Sequence, residues 1–108
     1  MGKCIIVEGR SDKLKIAGLL AEPVTILCTN GTISEDDLIE LLQAYEHYEI
    51  VTMFDADKNG EKLRKLMNRT YSEAQHIIIP TEYREVAETP DAILVKLLLR
   101  AKFLVKKG

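Results

Sequence analysis

The sequence has no tryptophan, only two cysteines and two histidines, and no long apolar run. Without tryptophan, a large aromatic platform for stacking nucleic-acid bases is absent. Cys4 and Cys28 lie inside short apolar runs, so we interpret them as buried hydrophobic side chains. No run approaches the ~20 residues of a membrane span, and the apolar stretch that ends at Glu8 is too short for a signal peptide. We therefore expect a cytoplasmic protein with no membrane partner.

The composition predicts one globular domain that spans residues 1–108. Hydrophobic residues make up 46% of the chain and charged residues 30%, which is enough for a core and a solvated surface. A net charge of −2 is unpromising for nucleic-acid binding, but the charge is uneven. Residues 58–69 carry five basic side chains and one acidic one. This segment is either a local basic surface or an ordinary solvated helix face.

Short apolar runs rich in β-branched residues alternate with longer segments of helical spacing. We predict strands at 4–7, 24–28, 49–54 and 76–80, helices at 11–21, 34–47, 58–70 and 90–104, and a loop or short helical turn at 81–89. Ser11, Ser34 and Thr89 are the expected N-caps of the first, second and last helices. This order predicts an α/β, Rossmann-like fold of three layers, with helices on both faces of a four-stranded parallel sheet. The expected strand order is 2-1-3-4.

Acidic residues follow two of the predicted strands. Glu8 follows strand one, and Asp55 and Asp57 follow strand three. In the predicted order these strands are neighbours ~4.8 Å apart, so Glu8 and Asp55 can share one cation at the carboxyl ends of the strands. Oxygen ligands without Cys or His suit Mg²⁺ or Mn²⁺. Each residue also has an ordinary interpretation: Glu8 as a loop acid, and Asp57 as the N-cap of the third helix.

Glycines and cations accompany these carboxylates. Gly9 and Gly60 would let a backbone or a bound phosphate come close. Lys58, Lys62 and Arg64 follow in the first turns of the third helix, whose N–H groups would point toward the same place.

Three other sites for a cation or phosphate fit less well. The segment DADKNG matches the first six positions of an EF-hand calcium loop, but Leu66 occupies the twelfth, where a bidentate Glu is needed. The chain has no G-x-x-x-x-G-K-[ST] phosphate loop. A phospho-aspartate receiver usually has more acids after its first strand, where this chain has Glu8 alone.

The segments IIVEGRSD (5–12) and MFDADKNGEKLRK (53–65) together resemble the toprim domain, and TNG (29–31) is similar to that family's glycine-bearing turn after strand two. The family includes primases, topoisomerases, nucleases and recombination mediators. The likeness covers about residues 4–80, and within the family the chain resembles the small ribonucleases that mature ribosomal RNA. The resemblance implies that Glu8 is a general acid or base and that Asp55 and Asp57, with Glu8, bind Mg²⁺. It also implies contacts with nucleic-acid phosphates from Gly9, Arg10, Asp12, Lys13, Asn30, Gly31, Lys58, Gly60, Lys62 and Arg64.

Two functions remain open from the sequence. The first is a Mg²⁺-dependent nuclease that acts on RNA or DNA, related to the ribonucleases that mature ribosomal RNA. The second is a toprim module that binds nucleic acid or a partner without catalysis. In either case we expect nucleic acid as the partner, with a second subunit or another protein supplying further contacts, because the net charge is −2.

Overall fold

The computed structural model describes residues 2–106, so Met1, Lys107 and Gly108 of the predicted domain lie outside the described residues. The elements in chain order are β1 (Lys3–Val7), α1 (Arg10–Ala17), β2 (Thr25–Cys28), α2 (Glu35–Leu42) with a 3₁₀ turn at Gln43–Tyr45, β3 (Glu49–Thr52), α3 (Lys58–Thr70), β4 (Gln75–His76) and α4 (Asp91–Arg100). Strands and helices alternate along the chain, as the sequence predicts.

The four strands form one parallel sheet in the order β2-β1-β3-β4. The predicted α/β fold and its 2-1-3-4 order are therefore confirmed. We call the side of the sheet where the strands end its carboxyl edge and the side where they begin its amino edge. Because the central strands β1 and β3 are covered on both faces, their buried residues are all apolar except Thr52.

Side chains of β1 alternate between two cores. Ile5 and Val7 belong to one core, which includes Ile16 of α1 and Leu94 of α4. The other face of β1 points into a second core, which includes Leu38 of α2 and buried residues of α3. The sheet thus lies between two layers of helices, which is the predicted three-layer arrangement.

The first and last helices differ from the predicted 11–21 and 90–104. Helix α1 begins one residue earlier than predicted and already ends at Ala17. Its N-cap residue is Gly9, whose N–H donates to Asp12 Oδ2 over 3.1 Å, so Ser11 lies inside the first turn and is not the N-cap. Helix α4 follows Pro90 at its N-cap position, and the Thr89 hydroxyl donates instead to Glu85 O.

The C-terminus of α4 is a Schellman motif that stops the helix at Arg100. Lys102 adopts φ +68, and its N–H donates to Leu99 O while the Phe103 N–H donates to Leu98 O. The predicted extension to residue 104 is therefore wrong, because the chain turns in a left-handed conformation that no helix continues.

Strand β4 is shorter than the predicted 76–80. Only Gln75 and His76 pair with β3, and Ile77 still donates its N–H to Thr52 O before the chain leaves the sheet. Ile77 and Ile79 remain buried while Ile78 is exposed, so the apolar run indicates burial correctly but not pairing. Within residues 2–106, no helix is long and apolar enough to cross a membrane.

Candidate metal-binding and catalytic site

The carboxyl edge of the sheet brings Glu8 against the loop between β3 and α3. The register of β1 and β3 places Ile6 opposite Thr52, and the Met53 N–H extends the pairing by donating to Ile6 O over 2.9 Å. The Asp55 N–H then donates to Glu8 Oε2 over 2.6 Å. The structure therefore places Glu8 beside Asp55, as the strand order predicts.

Glu8 is buried, with 9% of its surface exposed, and its Oε1 accepts a second hydrogen bond from Asn59 Nδ2 over 2.6 Å. Burial raises the pKa of Glu8; the N–H donors of Asp55 and Asn59 partly oppose this rise, and the charges of Asp55 and Asp57 add to it. A carboxyl group with a raised pKa is suited to hold and release a proton closer to neutral pH.

Asp55 and Asp57 are half-buried, and each has one carboxylate oxygen bound to a backbone N–H. Asp55 Oδ1 accepts from Val86 N–H over 2.8 Å, and Asp57 Oδ1 accepts from Gly60 N–H over 2.8 Å as the N-cap of α3. The predicted capping by Asp57 is confirmed. Among the residues that the structure describes, Asp55 Oδ2 and Asp57 Oδ2 accept no hydrogen bond, so both remain open to a ligand.

Close packing explains the glycine at position 60. A Cβ atom there would lie 1.9 Å from Asp55 O, so α3 can approach the Asp55 loop this closely only with glycine. The expected close approach of a backbone is present at Gly60. The space beside Gly9 is open, because a Cβ there would meet only Asp12 Oδ2, at 3.8 Å.

Asp12 is a further buried carboxyl group at this edge, with 6% of its surface exposed. Burial raises the pKa of Asp12, the charge of Asp55 raises it further, the hydrogen bond from Gly9 N–H partly opposes the rise, and the charge of Glu85 adds to it. Its expected contact with nucleic acid stays a prediction. The negative surroundings of Asp12 would repel a phosphate unless a cation lay between them.

The loop after β2 is tied directly to the site. Asn30 and Gly31 have φ of 60° and 92°, and their N–H groups donate to Glu8 O over 2.8 and 3.3 Å. This left-handed turn explains why glycine follows Asn30. The Asn30 side chain is exposed at the same edge.

The predicted basic residues differ in exposure. Exposed cationic side chains belong to Arg10 and Lys13 of α1 and to Lys58 and Lys62 of α3. Arg64 is half-buried and donates from Nη1 to Asp55 O over 3.3 Å, so it supports the loop that carries the aspartates. These four exposed cations are in a position to meet a ligand from solvent.

Sequence reasoning did not single out Asn59 or the segment at 81–89. Asn59 binds Glu8, and its Oδ1 accepts from the Thr32 hydroxyl over 3.3 Å, so it links two loops of the site. Its position inside the D-x-D-x-x-G segment could have drawn attention to it. The segment 81–89 reaches the site through Arg84 and Val86, yet it has no periodic pattern that could reveal this contact.

A metal site is not preformed by these side chains. Among residues 2–106, no group of three or more His, Cys, Asp or Glu side chains is arranged as metal ligands. The reason is that Glu8 faces two N–H donors, while Asp55 and Asp57 each bind one. The donor chemistry nevertheless fits Mg²⁺ or Mn²⁺, because two carboxylate oxygens remain open beside a third carboxyl group, with no sulfur or imidazole.

Two cavities lie at opposite edges of the sheet. An open cleft of about 660 Å³ adjoins the carboxylates and is lined by Ala56, Asp57, Lys58, Asn59 and Arg84. A cavity of about 390 Å³ lies near the amino edge, and its lining includes three glutamates. Those glutamates would repel a phosphate, so the cleft at the carboxyl edge is the better phosphate site.

Comparison with known proteins agrees with this arrangement. Residues 3–82, which include Glu8, Asp55 and Asp57, match the family described as Toprim domain. A Bacillus subtilis (strain 168) protein named Uncharacterized protein YusF is 46% identical over 103 residues, which cover 95% of this chain and 70% of that protein. The solved structure of a small TOPRIM domain protein from Bacillus stearothermophilus is 52% identical with a TM-score of 0.94, covering 98% of this chain and 90% of that one.

A more distant relative has a named activity. Ribonuclease M5 of Bacillus subtilis (strain 168) is 31% identical over 77 residues, which cover 70% of this chain and 40% of that enzyme. The chain therefore spans less than half the length of this relative.

Proposed function

This chain belongs to the Toprim domain family, and we propose that it is a Mg²⁺-dependent nuclease that hydrolyses phosphodiester bonds. Family membership and the weaker likeness to ribonuclease M5 support a role connected with nucleic acid. One observation carries the proposal of catalysis: the contact between Glu8 and the Asp55 N–H. This contact sets a carboxyl group of raised pKa beside two aspartates that keep oxygens open to a cation.

Asp55 and Asp57 would hold the metal ion, with Glu8 as the third carboxyl group close to it. When bound, Mg²⁺ supplies positive charge that stabilises the phosphoryl oxygens and orients the attacking oxygen. The ion would also neutralise the repulsion among the three carboxylates, which adds to the rise that burial causes in the pKa of Glu8.

Glu8 is the residue that moves a proton in this proposal. As a general base it takes a proton from the attacking water, and as a general acid it gives one to the departing oxygen. The Asp55 N–H and the Asn59 amide hold the Glu8 carboxyl group in one orientation through their hydrogen bonds. Such fixed geometry favours proton transfer because the group need not reorganise during the reaction.

We propose structured RNA as the first substrate class to test, because ribonuclease M5 is the relative with a named activity. Lys58 and Lys62 are exposed on the first turns of α3 and would contact backbone phosphates. Since the chain carries a net charge of −2, tight binding would draw further cations from a second copy or another protein.

A specific observation supports the second candidate, a binding module without catalysis. Within residues 2–106 the carboxylates are not arranged as a ready ligand set, and Glu8 is occupied by two N–H donors. A protein that only binds nucleic acid or a partner would need no metal. This alternative predicts binding that is the same in Mg²⁺ and in EDTA, and no cleavage.

A cleavage assay separates the two candidates. End-labelled structured RNA, single-stranded DNA and duplex DNA are incubated with the protein in Mg²⁺, Mn²⁺ or EDTA. The Asp55→Asn/Asp57→Asn variant is tested beside the wild type. The control is Glu40→Gln, which removes a carboxylate at an exposed position of α2. We expect cuts that need the metal, persist in the control and disappear in the double variant. Cuts that survive the double variant, or no cuts on any substrate, would reject the nuclease proposal.

A further inference from the structure

Arg84 is held at the carboxyl edge in a rare backbone conformation. Its φ is +62°, and the Glu85 N–H donates to Tyr83 O over 2.6 Å across it, which closes a three-residue turn. Such turns with positive φ are uncommon and strained for residues other than glycine. Strain of this kind persists only where the surrounding structure imposes it, and it is frequent at functional sites.

The loop that carries the aspartates imposes this conformation. Arg84 O accepts the Ala56 N–H over 2.6 Å, and Asp55 Oδ1 accepts the Val86 N–H over 2.8 Å. Val86 is fully buried and Tyr83 packs against the same core. Two hydrogen bonds, one at the Arg84 carbonyl and one two residues later, therefore fix this turn against the loop that carries Asp55.

The side chain of Arg84 is exposed in the cleft that also contains Asp57. It is exposed and lines the open cleft of about 660 Å³ together with Lys58 and Asn59. In the described part of the chain, no salt bridge joins Arg84 or Lys58 to a carboxylate. Two cations thus border a cleft that also contains Asp57, and neither is neutralised by a partner.

We propose that Arg84 binds a phosphate group of the nucleic-acid backbone in this cleft, together with Lys58. The inference rests on the proposed function and names a residue that neither the sequence motif nor the family match includes, since that match ends at residue 82. A guanidinium group offers paired N–H donors that match phosphate oxygens. Its charge offsets the repulsion between the phosphate and the carboxylates, which lowers the cost of bringing the scissile bond to them.

The test compares Arg84 with Lys102, two exposed cationic residues that both have a left-handed backbone conformation. Lys102 has φ +68°, and its backbone carbonyl accepts a hydrogen bond from Lys3 Nζ at the amino edge, whereas Arg84 lies at the carboxyl edge. Arg84→Gly and Lys102→Gly each remove a charge at a position where glycine adopts the backbone without strain. Both variants should fold, and thermal unfolding checks that they do.

Binding is measured by fluorescence anisotropy with a fluorescein-labelled RNA hairpin and a labelled single-stranded DNA, in Ca²⁺ and in EDTA. We expect Arg84→Gly to raise Kd about tenfold, as loss of one charged hydrogen-bonded contact does. The slope of log Kd against log salt concentration should fall by about 0.7–0.9, the value for one phosphate contact. Arg84→Lys keeps the charge but not the paired donors, so its Kd should lie between those of Arg84→Gly and the wild type. Lys102→Gly should bind as the wild type does.

The proposal is overturned if Arg84→Gly keeps the wild-type Kd and salt slope, if Lys102→Gly loses as much affinity, or if the wild type binds neither probe. Cleavage separates this result from the fate of the nuclease proposal. A wild type that cuts RNA, with KM unchanged in Arg84→Gly, would leave the nuclease standing and remove the role of Arg84. Loss of binding in Arg84→Gly, with no cutting by the wild type, would support the phosphate contact and reject the nuclease.

Discussion

The two edges of the sheet each contain a glutamate that accepts two hydrogen bonds, and the two side chains have opposite properties. Glu8 at the carboxyl edge accepts from Asp55 N–H and Asn59 Nδ2. Glu22 at the amino edge accepts from Leu104 N–H over 2.7 Å and from Lys3 Nζ over 3.2 Å. The hydrogen bond from Leu104 is the main reason that the pKa of Glu22 is lowered, whereas burial raises the pKa of Glu8.

The partners of the two glutamates explain the difference. Glu22 forms a salt bridge with Lys3, and its hydrogen bonds tie the start of the sheet to the segment after α4. Glu8 has no cation beside it among residues 2–106 and faces Asp55 and Asp57 instead. Glu22 is therefore a paired charge that links two segments. Glu8 is part of a cluster of like charges, which is unfavourable unless a cation binds there. The contrast marks the carboxyl edge as the candidate site.

The largest expected effect comes from removing the charge of each glutamate. Glu8→Gln should lower the rate of RNA cleavage in Mg²⁺ by about 10²–10⁴-fold, the usual contribution of a general acid or base. Glu22→Gln should leave the rate within about twofold, because its salt bridge lies at the other edge. The cleavage rate of each variant is measured under single-turnover conditions, and circular dichroism checks that each variant is folded. Equal losses in the two variants would show that the edges do not differ in function.

Glycines at the two edges give the next largest effect. Gly60→Ala would place a Cβ 1.9 Å from Asp55 O, and we expect it to lower the free energy of unfolding by about 3 kcal/mol. Gly18, at the end of α1, has φ −67°, and a Cβ there would lie 3.6 Å from Leu14 O and Lys15 O, an ordinary contact distance. Gly18→Ala should therefore raise the free energy of unfolding by about 0.4–1 kcal/mol. Urea unfolding measures both values. A stable Gly60→Ala variant would mean that the Asp55 loop can move away from α3.

The patterns that predicted the fold correctly are those that depend on local spacing and on burial. Helix α3 matches its predicted range because Asp57 caps it and Leu63, Leu66 and Met67 form one buried face. The apolar runs predicted a parallel sheet covered on both faces, and a reversal of the chain across the sheet after β2 predicted the strand order. Predicted boundaries were wrong where a single contact decides them, as at α1, where Gly9 rather than Ser11 is the N-cap and donates its N–H to Asp12 Oδ2.

For the site, the sequence predicted which carboxylates meet but not how they are held. Glu8 and Asp55 lie on neighbouring strands, so the topology brings them together. The contacts of Asp55 with Val86, and of Ala56 with Arg84, join segments about thirty residues apart that share no pattern. Contacts of this kind depend on how a loop folds back, which periodicity does not encode.

The smallest expected effect is the pH dependence of stability, and its sign differs between the two edges. The pKa of Glu22 is lowered from its ordinary 4.5, so its contribution to stability is present above pH 4.5 and is lost as the pH falls through the lowered value. The pKa of Glu8 is raised from 4.5, so its contribution is present below pH 4.5 and is lost as the pH rises through the raised value. Measured in EDTA, the urea midpoint of Glu22→Gln should therefore fall below that of the wild type at about pH 7 and approach it at about pH 3. As the pH rises from about 3 to about 7, the urea midpoint of Glu8→Gln should instead increase relative to that of the wild type. If both variants changed in the same direction, the two glutamates would differ in position alone, and the carboxyl edge would lose the electrostatic property that marks it as a site.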